Sequence, residues 1–98
     1  MDKSLIDLLS RSYLNSKRIL KENELGIRSN TESSLESYRF NVYHIEHVVS
    51  CLCDNDRFII DNEVIKGKRG NWYYEYMSSA TYYKHRKKAY SNFLSSLT

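Results

Sequence analysis

Proline is absent from this chain of 98 residues, and glycine occurs only as Gly26, Gly67 and Gly70. A sandwich or barrel needs turn signals roughly every 8 to 12 residues, so the two scarcities argue against both and favour an all-α fold. No apolar run approaches the ~18 residues that span a bilayer. The opening MDKSLIDLL carries acidic residues too early for a signal peptide, so a cytoplasmic protein with no membrane partner is expected. Two cysteines, Cys51 and Cys53, are too few for a disulfide framework and too close to bridge without strain. Signatures of catalysis are also missing. There is no nucleophile elbow, no phosphate-binding glycine loop and no pair of carboxylates beside a base, so neither enzyme activity nor a cofactor is expected.

Acidic residues are scarce in one region only. Residues 66–98 hold seven Lys/Arg against the single Glu75, a net charge of +6, while residues 1–65 hold eight against eleven, a net charge of −3. Such asymmetry points to a polyanion-facing segment on a neutral or acidic body. With 41% hydrophobic residues and nine tyrosines, the chain has enough apolar material for one small core and hence one domain. Its parts are an N-terminal helix and connector (1–30), central helices (31–65), and a basic loop with a helical pair (66–98).

Periodicity supports four or five helices. Leu5, Leu8, Leu9, Tyr13, Ile19 and Leu20 recur mostly at intervals of three or four, with Asp2 or Ser4 placed to cap the start and Gly26 to end the helix. After the polar connector IRSNTESS, Ser33 and Glu36 fit a capping box. Behind it, Leu35, Tyr38, Val42, Ile45, Val49 and Leu52 form the most regular stripe in the chain. It reads either as the buried seam of an intramolecular bundle or as an a/d seam for a homodimer or another protein. Next comes a short helix in DNDRFIIDNEVI, capped by Asp54, Asn55 or Asp56, with Phe58, Ile59, Ile60 and Val64 as its apolar side. His44, His47 and Cys51 share a helical side at zinc-ligand residue types, but C-x-C is poor spacing for a tetrahedral site. No metal is expected; Cys51 reads as a partly buried small residue and the histidines as a polar face.

KGKRGN reads as a loop, WYYEYM as a short aromatic helix, SS as a turn, and Ala80 to about Leu97 as a long final helix. Two helices joined by a tight turn form the helix-turn-helix pattern. On the final helix Tyr82, Ala89, Phe93 and Leu97 share an inward face, widened by Tyr90 and Leu94. Ser79, Thr81, Tyr83, Lys84, Lys87 and Lys88 lie on the other side, a strip of hydroxyls followed by cations. Ammonium groups neutralise phosphates and short hydroxyls reach phosphates or base edges, so this strip suits a DNA major groove. Lys66, Lys68 and Arg69 in the preceding loop are placed to hold phosphate.

The string YEYMSSATYYKHRKKAYSNFL resembles the helix-turn-helix of Gram-positive phage late-transcription regulators of the ArpU and RinA type, which are in turn similar to region 4 of sigma factors. Similar endings occur in small mollicute proteins. The likeness spans residues ~45 to 97 in order, with IEHVVSCLCDNDRFII as the upstream helix pair. It implies a sigma-region-4-like fold with Trp72 to Met77 as the supporting helix and Ala80 to Leu97 as the recognition helix. By position, Ser79, Ala80, Tyr83 and Lys84 would touch bases, Lys87 and Lys88 the backbone, while Tyr82, Ala89 and Phe93 pack inward. His85 falls on an inward position that is normally aliphatic.

Together these readings predict a small all-α bundle acting as a sequence-specific regulator of transcription on double-stranded DNA. A dimer through residues 35–52 would favour two half-sites about one helical turn or a multiple apart; a monomer would need RNA polymerase or another protein to add buried surface. The competing reading is a small interaction protein that binds RNA polymerase or another protein through the Leu35–Leu52 seam, with no sequence-specific DNA recognition.

Overall fold

Few breakers give long helices. In the computed structural model, which describes residues 2–27 and 29–98 with Asp2 by its backbone only, α1 runs Asp2–Glu24, α2 Glu32–Ser50, α3 Asp54–Ile60 and α4 Ser79–Ser96. α3 continues directly into a π-helical turn, Asp61–Ile65, and a 3-10 turn, Trp72–Glu75, precedes α4. Among the described residues there is no strand, and no helix is long and apolar enough to cross a membrane. The all-α expectation therefore holds.

α1 ends at the glycine stop that the sequence supplies. Gly26 has φ +79°, and the Ile27 amide donates to the Glu22 carbonyl at 2.9 Å, the bond pattern of a Schellman cap. Its start differs: Ser4 lies inside the helix, and the alternative cap, the Asp2 side chain, falls outside the described residues, as does Arg28 in the connector. α2 begins earlier than the Ser33–Glu36 box implies, because the Thr31 side chain accepts the Ser34 amide at 3.3 Å. At α3 the cap position is Cys53, with no side-chain cap bond. Asp56 is instead buried and accepts from Asn92 Nδ2 at 2.7 Å, tying α3 to α4.

α1 and α2 form an antiparallel pair joined by polar as well as apolar contacts. The Tyr13 hydroxyl donates to Glu46, and Asn41 Nδ2 donates to Ser16 Oγ at 2.9 Å. The inward face of α1 is Ile6, Ser10, Tyr13, Ser16 and Ile19, whereas Leu5 and Leu8 are exposed. Ser10 takes a core position from the leucines because its hydroxyl donates to the Val64 carbonyl at 2.9 Å, inside the π-helical turn. In α2, Leu35, Ile45, Val49 and Leu52 are buried within the chain itself, while Tyr38 and Val42 are half-buried. Of the two readings of this stripe, the intramolecular seam is the one realised. Four of its six positions are thereby removed from water inside the chain.

Candidate nucleic-acid interface

Local sequence defines the start of α4. Ser78 sits in extended backbone and its hydroxyl accepts the Thr81 amide at 3.2 Å, so the helix opens with no acidic residue in its first turn. The supporting helix expected over Trp72 to Met77 is reduced to the single 3-10 turn, and thirteen residues separate Ile65 from Ser79. In place of a helix pair, a 3-10 turn leads into α4 through residues 76–78; the glycine-flanked KGKRG segment ends the preceding helix, and α3 is the element with which α4 packs most extensively. Tyr82, Ala89, Tyr90 and Phe93 are buried, Leu94 and Leu97 partly so, as the helical period predicts.

What fixes α4 is a residue that the apolar stripes do not include. Glu63, in the π-helical turn, is 0% exposed, and its carboxylate accepts from the Tyr82 and Tyr90 hydroxyls and from Trp72 Nε1 at 3.0 Å. Lys3 Nζ of α1 lies 3.8 Å from the same group. Burial, followed by the hydrogen bond to Glu63, pushes the Tyr82 and Tyr90 phenols well above their ordinary range, so both remain protonated donors. Tyr73 stacks flat on Tyr82 with ring centroids 3.8 Å apart. The Arg86 guanidinium covers the ring of Tyr83 at 4.8 Å and that of Tyr90 at 5.3 Å. Arg86 thus bridges Tyr83 of the outer strip and Tyr90 of the packed side. The spacing did carry a signal for Glu63: it follows Ile59 by four residues and Ile60 by three, on their buried side.

The outer strip is present as expected. Ser79, Ala80, Thr81, Tyr83, Lys84, Lys87 and Lys88 are all exposed, and none of the three lysines makes an ion pair among the described residues. Tyr83 is half-exposed; its phenol is raised, chiefly by its neighbour Tyr73, whose ring meets it edge-on with centroids 6.3 Å apart. His85 is partly buried.

The loop cations behave differently from the three lysines. Arg69 Nε lies 3.2 Å from Asp7 Oδ1 and its Nη1 donates to the Glu63 and Lys68 carbonyls, so its guanidinium belongs to the fold. Lys66 stands 3.7 Å from Asp61, and Lys68 Nζ lies 6.0 Å from the Trp72 ring centroid. Of the loop trio, Lys68 makes no ion pair among the described residues.

The histidines and cysteines do not converge. His44 Nε2 meets the Leu97 carbonyl at 3.2 Å, joining α2 to the end of α4, while Cys51 is exposed rather than partly buried, 3.8 Å from His47 Nε2. Among the described residues no group of three ligand-type side chains could hold a metal ion. Comparison with family models, with curated proteins and with solved structures gives no match for this chain.

Proposed function

We propose that the protein is a sequence-specific DNA-binding regulator of transcription that lays α4 in the major groove. One observation carries this reading: Lys84, Lys87 and Lys88 stand exposed without acidic partners among the described residues, on a helix that contains no acidic residue at all. The reverse side of the same helix is held by directional bonds to Glu63. A helix held in this way presents its outer side in one orientation, which base readout needs. The capped, acid-free first turn suits phosphate, with Ser79, Ala80, Thr81, Tyr83 and Lys84 at the base edges and Lys87, Lys88, Lys66 and Lys68 on the backbone. The likeness of residues 74–94 to ArpU- and RinA-type regulators supports the same assignment.

The test is selection from a random duplex pool at several salt concentrations. Enrichment of a defined motif is expected, with log K falling by roughly 3.6 per decade of salt from the four lysines set on the backbone, and lost on Lys84→Glu with Lys87→Glu. A pool that stays random, or binding untouched by the double reversal, would overturn the proposal.

A further inference from the structure

α2 carries a second stripe, on the side opposite its buried seam. Ser33, Glu36, Phe40, Tyr43, His47 and Ser50 follow one another at intervals of 3, 4, 3, 4 and 3, and all six are exposed. Phe40 and Tyr43 are each 67% exposed, unusual for rings at the centre of a helix. Each stacks on a histidine one turn later, Phe40 on His44 at 5.5 Å and Tyr43 on His47 at 5.9 Å, which holds the rings in place on the surface. Glu36, Arg39, Phe40 and Tyr43 line a groove of about 300 Å³ on this face. The Arg39 guanidinium is paired with Glu32 at 2.8 Å, while Glu36 makes no ion pair among the described residues.

The spacing is palindromic, and so is the chemistry. We infer that this face pairs with a second copy of the chain, the two α2 helices antiparallel about a twofold axis midway between Phe40 and Tyr43. Under that operation Phe40 meets the partner's Tyr43, Glu36 meets the partner's His47, and Ser33 meets the partner's Ser50. The aromatic rings fall in the centre, an acid faces an imidazole on each side, and small residues at both ends let the helices approach. Each Tyr43 ring is offered the groove beside Phe40. A parallel pair would instead set Glu36 on Glu36, which their like charge disfavours. The dimer is built on the opposite side from Leu35, Ile45, Val49 and Leu52, and it does not depend on the DNA reading.

Sedimentation of the full chain over a concentration series tests it. A single helix pair sits at the small end of specific interfaces, so a monomer–dimer equilibrium with a dissociation constant on the order of 10 µM is expected. Phe40→Lys should weaken it tenfold or more; because Phe40 is exposed, far-UV circular dichroism and the melting temperature at low concentration should stay unchanged. Glu36→Lys should also weaken association, and Glu36→Lys with His47→Glu should restore it, since the antiparallel register then sets each introduced lysine against the introduced glutamate of the other copy. A wild-type chain that stays monomeric throughout, a dimer indifferent to Phe40→Lys, or a double exchange that fails to restore association would each overturn the proposal.

Discussion

Removing the Glu63 carboxylate should cost this protein much of its stability. Glu63→Ala strands the hydroxyls of Tyr82 and Tyr90, residues that are 3% and 2% exposed, and leaves the half-buried Trp72 indole short of its acceptor. An orphaned buried donor costs ~1–3 kcal/mol, so two full penalties and a partial one come to about 4 kcal/mol after the recovered desolvation of the carboxylate is set against the cavity. A chain of this length has only ~5–15 kcal/mol in total, and with a urea slope near ~1 kcal/mol/M the midpoint should fall by roughly 4 M or the variant should not fold at all. Glu63→Gln keeps the volume and can still bond both phenols, losing mainly the charge-assisted part, so it should cost about 2 kcal/mol. Replacing the whole cluster, Glu63→Leu with Tyr82→Phe and Tyr90→Phe, leaves no stranded donor among the three and should be more stable than Glu63→Ala. Urea titration followed by the fluorescence of Trp72, the single tryptophan, reads the site directly. A Glu63→Ala protein within about 1 kcal/mol of wild type, or no more costly than Glu63→Gln, would refute the claim that this acid is the anchor of α4.

Alkaline pH should act on the same cluster. The Tyr82 and Tyr90 phenols are raised from an ordinary value of 10.0, so the unfolded chain ionises first. Their contribution is complete below pH 10 and is lost as pH climbs beyond it, by about 1.4 kcal/mol per tyrosine at pH 11. Melts between pH 8 and 11 should decline less steeply in Tyr82→Phe with Tyr90→Phe, and equal slopes would count against the burial of these hydroxyls. In the loop, Gly67 has φ +66° and an added Cβ would lie 2.8 Å from Leu14 Cδ1, whereas Gly70, at φ +70°, has nothing within 4 Å. Gly67→Ala should therefore destabilise by roughly 2 kcal/mol and Gly70→Ala by about 1, the difference measured by thermal melts reflecting the Leu14 contact.

Apolar periodicity made the helices and the two sides of α4 legible, because Tyr82, Ala89 and Phe93 recur at helical intervals along it. It missed the polar residues of the core. Ser10 lies four residues after Ile6, Ser16 three after Tyr13, Asp56 three before Ile59, and Glu63 four after Ile59, each at a spacing that places it on a buried face. A count restricted to apolar residues passes over such positions, and at α1 it promoted Leu5 and Leu8 to a core they do not enter. A buried polar residue needs a partner, and each of these four has one that is 19 or more positions away in sequence. The π-helical turn that receives two of them, with Lys66 donating to Asp61 across five residues, has no composition signature of its own. The 3-10 turn before α4 departs from expectation for a simpler reason. Six aromatic-rich residues between a glycine loop and a serine cap read as a helix, yet their rings pack on Phe58 and Tyr82 and allow the backbone just one tight turn.

The hydrogen bonds that reach Glu63 from one helix act as an angular index. An oily helix in an oily groove keeps its depth but can roll, because apolar contact has no preferred direction. Two phenols about two turns apart, both aimed at a single fixed acid, tolerate only a small roll before a bond breaks. At a side-chain radius of ~6 Å, a rotation of ~20° carries an outer lysine tip by about 2 Å, more than the working range of a hydrogen bond. The bearing of Lys84, Lys87 and Lys88 is thus set from the far side of their own helix, by a residue that never reaches the surface.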